Sequence, residues 1–202
     1  MGRALRAWAR LSRRALPAPD RPVLAAGPVD LVPCAPEHYT AYHEAAASCE
    51  AYLRRWQPTW PDGHLSEASY RRRLALYERD WARGTGRAYH LFAGDTLVGM
   101  LRVSGVQRGA ARSCEVGYWV AEGASNRGYA KAALRAACEG AEADGLVRVT
   151  AACAVGNAAS LAVLSACGFA FEGVARSYLE VNGLRRDHHL LAWLAAEARE
   201  RG

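Results

Sequence analysis

The sequence has no run of about 18 apolar residues, the length that a helix needs to cross a bilayer, so it predicts no transmembrane segment. Its six cysteines include no C-x-x-C pair and no histidine at metal-ligand spacing, which argues against a zinc site or a disulfide framework. They are expected to be small core residues in a reducing compartment, which predicts a cytoplasmic protein without a metal. The chain also has no internal repeats and lacks the phosphate-binding pattern G-x-x-x-x-G-K-[ST].

Lysine is almost missing, since Lys131 is the single lysine among 26 basic residues. Residues 1–22 hold six arginines and one acid, Asp20, which is a net +5 of the chain's formal +6. The body is therefore close to neutral, which predicts no specific nucleic-acid surface. We divide the 202 residues into a basic tail, 1–22, and one domain, 23–202. The tail is either amphipathic, and able to contact a membrane surface or RNA, or simply frayed.

The body alternates between extended and helical patterns. Residues 28–34 predict a strand, residues 36–54 a helix, and residues 56–64 a Pro-rich loop with two tryptophans. Ser66 is expected to cap a helix that ends at Gly84. Further helices are predicted over 127–143 and 157–166, and further strands over 88–94, 96–106, 114–120, 147–153, 170–181 and 186–194. Turns are expected at Gly94-Asp95 and Asn182-Gly183. Early hairpins and later helical crossovers indicate an α/β protein with a mixed, mostly antiparallel twisted sheet flanked by helices.

One stretch, EVGYWVAEGASNRGYAKAAL (115–134), joins an apolar strand to a helix that opens on small residues. Such a helix start leaves its first backbone N–H groups uncovered, which favours phosphate binding. The stretch resembles the acyl-CoA pyrophosphate loop of the GCN5-related N-acetyltransferases, the GNAT superfamily. That loop aligns here with Ser125-Asn126-Arg127-Gly128-Tyr129-Ala130, where Gly128 and Ala130 match its small positions. Ser125 stands where the family usually has Gln or Arg.

Two later blocks extend the resemblance. VGNAASLAVLSACGFAFEG (155–173) is similar to the family's Asn-x-x-Ser helix and the Gly-Phe pair that follows it. LRRWQPTWP (53–61), GVQRGAARSCEVGYWV (105–120) and YLEVNGLRRDHHLLAWL (178–194) resemble the RimJ/RimL branch, whose members acetylate the N-terminal amine of ribosomal proteins. The resemblance covers residues 25–195, and the order and spacing of its motifs are specific.

The resemblance implies a GNAT fold and an enzyme that moves an acetyl group from acetyl-CoA to a primary amine. The expected acceptor is the N-terminal α-amine of a protein or peptide, attacking directly in a ternary complex of a monomer or homodimer. The coenzyme is expected at backbone groups of the strand, at the loop and helix start, and at the Asn-x-x-Ser motif. These positions are Tyr118, Trp119, Val120, Ser125, Asn126, Arg127, Gly128, Tyr129, Ala130, Lys131, Asn157 and Ser160.

The reaction needs a group that takes the amine proton and a group that stabilises the leaving thiolate. By resemblance, Glu115 is the candidate base, with Glu180 or an ordered water as alternatives. Many family members place a tyrosine proton donor where this chain has Leu164. Ser160 is the candidate that is left for this role, and a purely structural helix cap is its alternative interpretation.

Five residues are expected to line the pocket that binds the acceptor amine, although packing in the core would explain the aromatic ones equally well. These residues are Trp56, Trp60, Tyr89 and Arg102, with His90 beside them. Asp187 is expected to anchor the last hairpin by hydrogen bonding. His188 and His189 alternate along a strand, so at most one of them faces a site. Two other functions stay open: acetylation of a small amine or antibiotic, and a non-catalytic acyl-CoA-binding or RNA-associated module.

Overall fold

The structure, a computed structural model, describes residues 23–199, so the predicted tail 1–22 lies outside the described residues. Within that range the strands are β1 (Leu24–Ala26), β2 (Val29–Pro33), β3 (Arg87–Ala93), β4 (Thr96–Gln107), β5 (Ser113–Val120), β6 (Arg148–Ala154), β7 (Ala170–Val181) and β8 (Leu184–Leu194). The helices are α1 (Tyr39–Ala47), α2 (Glu50–Arg54), α3 (Glu67–Arg83), α4 (Tyr129–Ala143), α5 (Ala158–Ala166) and α6 (Ala196–Arg199). Short 3-10 turns lie at Pro36–His38 and Glu122–Ala124.

The eight strands of the described range form one sheet in the order β1-β2-β3-β4-β5-β6-β8-β7. Neighbouring strands are antiparallel, except that β5 and β6 are parallel. The predicted mixed, mostly antiparallel sheet flanked by helices is therefore confirmed. Each of the two turns expected from sequence, at residues 94–95 and 182–183, joins a pair of antiparallel strands. Asn182 and Gly183 have φ values of 49° and 77°, the left-handed pair that a tight hairpin turn favours.

The parallel pair β5–β6 separates along its length. Pairing joins residues 113–115 to residues 148–150, and the register ends with Glu115 opposite Thr150. Beyond that point β5 stays hydrogen-bonded to β4, where Val120 pairs with Gly99. β6 stays bound to β8 as far as the pair of Ala154 with His188. Because each strand follows its outer neighbour, a gap opens between residues 116–120 and 151–154.

Each face of the sheet has its own apolar core. On the back face, α4 covers a cluster that includes Tyr89, Leu91 and Leu134. On the front face, the segments α1, α2 and α3 cover a second cluster that includes Tyr42 and Tyr70. Strand alternation along β3 divides its side chains between the two cores, so that Tyr89 faces the back and its neighbour His90 faces the front.

Helix ends follow the predicted signals in α3 and depart from them in two other places. The side chain of Ser66 accepts a hydrogen bond from the backbone N–H of Ser69, and Gly84 ends α3 with a φ of 66°. The helix predicted over 36–54 is instead divided into a 3-10 turn, α1 and α2. The break occurs at Ser48 and Cys49, whose side chains both bond to the carbonyl oxygen of Ala45 and so compete with the helical ladder.

The second departure is the start of α4. Sequence predicted that this helix begins at residue 127, but it begins at Tyr129. Asn126 and Gly128 have φ values of 60° and 82°, which lie in the left-handed region and cannot belong to a right-handed helix. The strand β1 was not predicted at all, because its three residues are too short to show a period.

All six cysteines are free and buried, as expected of small core residues. Among residues 23–199, no three His, Cys, Asp or Glu side chains gather in a way that could hold a metal ion. No helix in the same range is long and apolar enough to span a membrane.

Candidate active site

A cleft of about 710 Å³ occupies the gap between the separated ends of β5 and β6. Residues 116–120 line it on one side and residues 151–154 on the other. At one end it reaches the loop 124–131, and at the other end it reaches aromatic side chains of α1, α2 and α3. It is therefore one continuous space with a phosphate-binding type of loop at one end and an aromatic chamber at the other.

The loop end is formed by the start of α4. Gly128 is the N-cap of this helix, no side chain caps it, and no acidic residue lies in its first turn. The N–H groups of the first turn therefore point out of the helix without a carboxylate to repel an anion. A Cβ added to Gly128 would meet no atom within 4 Å, so the glycine leaves an open approach to the backbone. Lys131 and Arg127 are exposed beside it, which adds positive charge.

The structure places every predicted coenzyme residue in the lining of this cleft. They are Tyr118, Trp119, Val120, Ser125, Asn126, Arg127, Gly128, Tyr129, Ala130, Lys131, Asn157 and Ser160. The hydroxyl of Ser125 lies 3.4 Å from the carbonyl oxygen of Ala121, to which it can donate, so this side chain helps to close the turn before the loop. The loop's shape thus comes mainly from backbone conformation.

Asn157 and Ser160 have clear local roles at the start of α5. The side-chain oxygen of Asn157 accepts a hydrogen bond from the backbone N–H of Ser160 at 3.1 Å, which makes Asn157 the N-cap of α5. The hydroxyl of Ser160 lies 3.1 Å from the hydroxyl of Tyr118. Two hydroxyl groups from different elements therefore meet inside the cleft, at the point where β5 and β6 have separated.

Tyr118 is a side chain whose importance sequence reasoning missed, because that reasoning considered only its backbone N–H. Burial raises the pKa of Tyr118 to about 12, and the hydrogen bond with Ser160 partly opposes this shift. The phenol is therefore protonated at neutral pH and always has a proton to donate. Leu164, at the position where many GNAT relatives carry a tyrosine, is 1% exposed and supplies no hydroxyl. The Tyr118 hydroxyl enters the cleft from the opposite side, from β5.

The aromatic chamber includes four side chains that sequence did not predict. Tyr42 from α1, Tyr52 from α2, and Arg73 and Tyr77 from α3 line it, with Trp56 from the loop that follows α2. A sequence signal for part of this wall exists. Ser69, Arg73 and Tyr77 recur every four residues along α3 and form a polar row on one face of an otherwise apolar inner surface.

Arg102 and Trp56, two of the four predicted acceptor residues, line the chamber. Arg102 forms an ion pair with Asp80 of α3 at 2.8 Å, and its guanidinium lies 5.4 Å from the ring centre of Tyr77. Trp56 has the guanidinium of Arg55 at 4.9 Å from its ring centre. Both residues therefore belong to the wall of the chamber.

Trp60, Tyr89 and His90 do not line the cleft. Tyr89 is fully buried on the back face of the sheet, where its ring contacts that of Trp81 edge to face. Trp60 is 7% exposed and stacks on the ring of His64 behind the wall. His90 is also enclosed, and burial, with His38 as the next cause, lowers its pKa to about 3. Trp60 and His90 therefore lie behind the wall and Tyr89 lies on the other face of the sheet, so the prediction that they form the amine pocket is corrected.

The two candidate bases stand at the edges of the site. Glu115 is the last β5 residue that pairs with β6, and its exposed side chain lies outside the cleft lining. It is two residues from Gly117 and therefore on the same face of β5, at the apex of the gap. Glu180 accepts a hydrogen bond from the hydroxyl of Thr59 at 2.7 Å, which ties the last hairpin to the loop 56–64.

Asp187, His188 and His189 are consecutive residues of β8 with different environments. A side-chain oxygen of Asp187 accepts a hydrogen bond from the backbone N–H of Ser177 at 2.7 Å, so Asp187 anchors the β7–β8 hairpin as expected. His188 lines the cleft, while its neighbour His189 does not, which agrees with the expectation that at most one of them faces a site.

Comparison with known proteins places this geometry among acetyltransferases. Residues 29–170 match the family described as "Acetyltransferase (GNAT) domain". The sequence is 28% identical to the [ribosomal protein uS5]-alanine N-acetyltransferase of Escherichia coli strain K12 over 144 residues, which is 70% of this chain and 74% of that protein.

Solved structures give the same result. The fold is similar to Mycobacterium smegmatis RimJ in complex with CoA-disulfide, with a TM-score of 0.81 and 31% identity. That alignment covers 85% of this chain and 84% of the other. The ribosomal-protein-S5-alanine acetyltransferase of Vibrio fischeri also aligns with a TM-score of 0.81, over 87% of this chain and 98% of that one; at 20% identity this match concerns the fold.

Proposed function

Since the chain belongs to the GNAT acetyltransferase family and is an acyl-CoA-dependent N-acetyltransferase, we propose that its acceptor is the N-terminal α-amine of a protein or peptide. The observation that carries this proposal is the continuous cleft of about 710 Å³, which joins the uncapped start of α4 to a chamber lined by aromatic side chains. The similarity to a ribosomal-protein alanine N-acetyltransferase supports the same acceptor class. A cytoplasmic location follows as part of the proposal.

Acetyl-CoA fits the loop end of the cleft. The uncapped N-terminus of α4 would receive the pyrophosphate on its backbone N–H groups, with Lys131 and Arg127 adding positive charge. The pantetheine would then extend between β5 and β6 and bond to backbone groups of residues 118–120, as an added strand would. The thioester would lie near the Tyr118–Ser160 hydroxyl pair, where the gap reaches the chamber.

The acetyl group would pass directly from the thioester to the amine within a ternary complex. The neutral amine attacks the thioester carbonyl carbon, a tetrahedral intermediate forms, and the carbon–sulfur bond breaks to release CoA thiolate. The amine must lose one proton in this sequence. Glu115 at the apex of the gap is the proposed acceptor of that proton, directly or through a water, and Glu180 is the alternative.

The leaving thiolate would be stabilised by Ser160. Either oxygen can donate in the contact between Tyr118 and Ser160. When the phenol of Tyr118 donates to Ser160 Oγ, the single proton of Ser160 is left to point at the sulfur. Tyr118 thus acts as a positioning residue, and the negative charge on sulfur receives a hydrogen bond while it develops.

The test is direct acetylation of a peptide. The full chain is incubated with acetyl-CoA and a decapeptide that begins with Ala, and the position of the acetyl group is found by tandem mass spectrometry. The matched peptide with a blocked N-terminus and one internal Lys reports acetylation of side-chain amines. We expect the acetyl group on the α-amine of the first peptide and little on the lysine. Acetylation of the lysine alone, or of spermidine in preference to both peptides, would refute the proposal in favour of a small-amine acetyltransferase.

A further inference from the structure

The cleft lining is positively charged at both ends. It includes Arg73, Arg102, Arg127 and Lys131, and no Asp or Glu lies among the lining residues of the described chain. The charges of Arg127 and Lys131 belong to the proposed phosphate end. Those of Arg73 and Arg102 belong to the aromatic chamber, where an anion-binding role is not required by the coenzyme.

The two chamber arginines differ in their partners. Arg102 is neutralised by Asp80 at 2.8 Å. Arg73 bonds instead to three neutral oxygens, namely the His64 carbonyl at 2.9 Å, the Ser69 hydroxyl at 3.0 Å and the Tyr42 hydroxyl at 3.2 Å. These bonds use three of the five N–H donors of a guanidinium. They fix the orientation of Arg73 without compensating its charge.

The positive charge of Arg73 affects the pKa of a neighbouring histidine. Burial first, and then the charges of Arg73 and Arg54, lower the pKa of His64 to about 4, so this imidazole is neutral at pH 7. Other acids close to the chamber have partners of their own. Glu50 is paired with Arg54 at 2.7 Å, and Glu180 accepts a hydrogen bond from the Thr59 hydroxyl at 2.7 Å.

Arg73 and Trp119 of β5 line the same cleft, and Tyr42 lies between them. Its guanidinium carbon is 5.3 Å from the ring centre of Tyr42, and that ring is 6.1 Å from the ring of Trp119 on β5. An extended chain advances about 3.3–3.6 Å per residue. The Arg73 guanidinium is therefore no more than about 11 Å from the Trp119 ring, a distance that about three extended residues span.

We propose that the chamber selects acceptors that carry an anionic group, a carboxylate at the second or third residue of the peptide, which binds Arg73. This inference rests on the proposed N-terminal acceptor and adds the class of substrate to it. A carboxylate would accept charge-assisted hydrogen bonds from the N–H donors of Arg73 that the three neutral oxygens leave unused. Polycationic amines would be disfavoured, because the same charge repels them and the lining offers no carboxylate.

The experiment compares matched peptides with the full chain. Decapeptides that begin Ala-Glu, Ala-Ser-Glu, Ala-Gln and Ala-Ser-Gln are otherwise identical, and kcat/KM is measured for each by CoA release. We expect the acidic peptides to be preferred by roughly ten- to a hundredfold, the size expected of a hydrogen bond between charged groups. Arg73→Gln should abolish the preference. Arg72→Gln, an exposed neighbour on the same helix, should keep it.

The outcomes distinguish a failure of this inference from a failure of the proposed N-terminal acetylation. Equal kcat/KM for the Glu and Gln peptides, with acetyl groups on both N-termini, overturns the anionic acceptor and leaves N-terminal acetylation intact. No acetylated N-terminus in any peptide overturns both. The comparison within the unmodified protein needs no variant, so it decides the matter even if Arg73→Gln fails to fold. Arg73→Lys, which keeps the charge, should retain a reduced preference for the acidic peptides.

Discussion

Replacing Tyr118 with Phe removes a single hydroxyl from the cleft and tests the proposed hydroxyl pair. The structure gives this hydroxyl one side-chain partner, Ser160 Oγ at 3.1 Å. A hydrogen bond of this kind has a net value of about 0.5–1.5 kcal/mol. If that energy orients the Ser160 proton toward the sulfur in the transition state, its loss lowers kcat by roughly two- to tenfold. The ring and its packing are kept, so the KM for acetyl-CoA should be nearly unchanged.

The decisive measurement is a double-mutant cycle. Steady-state CoA release is measured at saturating acetyl-CoA for Tyr118→Phe, Ser160→Ala and the double variant. Because Tyr118 is proposed to act through Ser160, Ser160→Ala should lose at least as much, and the double variant should be no slower than Ser160→Ala. Tyr52→Phe is the matched control, since Tyr52 lines the same cleft but is not a partner of Ser160.

Two results would refute the reasoning. Losses that multiply in the double variant would show that the two hydroxyls act independently, so that Tyr118 does not position Ser160. A Tyr118→Phe enzyme with full activity would show that the contact is only structural. A thermal unfolding scan of each variant distinguishes a lost catalytic effect from a lost fold.

Three further predictions concern the other parts of the site. Gly128→Glu should abolish acetyl-CoA binding in calorimetry, because a carboxylate would occupy the phosphate position; Gly145→Glu, which puts the same residue at a similar φ outside the cleft lining, should still bind. Glu115→Gln should reduce kcat by roughly 10²–10⁴-fold if Glu115 is the base, whereas an unchanged rate would redirect the search to Glu180→Gln or to a water. Deleting residues 1–22 should leave kcat unchanged, since no site residue lies there, and a large loss in the same assay would give the tail a role in the site.

The parts of the molecule that sequence predicted well are those that local rules control. The helix cap at Ser66, the stop at Gly84 and the turn at Asn182-Gly183 each need only a few neighbouring residues. The loop that we propose for the coenzyme also depends on local backbone, because left-handed conformations at residues 126 and 128 expose the start of α4. A short motif is therefore enough to find it.

The aromatic chamber was harder to predict because it depends on which face of each element is inside. Alternation along β3 shows that Tyr89 and its neighbour point to opposite faces, but not which face carries the site. Tyr89 proved to be a back-face core residue. Trp60 was misplaced for a related reason, since a loop tryptophan can form a pocket wall or support one from behind. The polar row on α3 was the available signal, and it needed the docking of α3 on the sheet to be interpreted.

The division between the two ends of the cleft also explains how one fold can serve different acceptors. The proposed coenzyme end would bind mainly through backbone groups, so it should depend on the conformation at Gly128 and on the gap between β5 and β6. The chamber is made largely of side chains from α1, α2 and α3, and all three segments contribute residues to the front core. A change at a residue such as Arg73 can therefore alter the charge offered to the acceptor without disturbing the strands that would hold the thioester. Acceptor choice should follow the α3 face, and acetyl transfer should follow the strands.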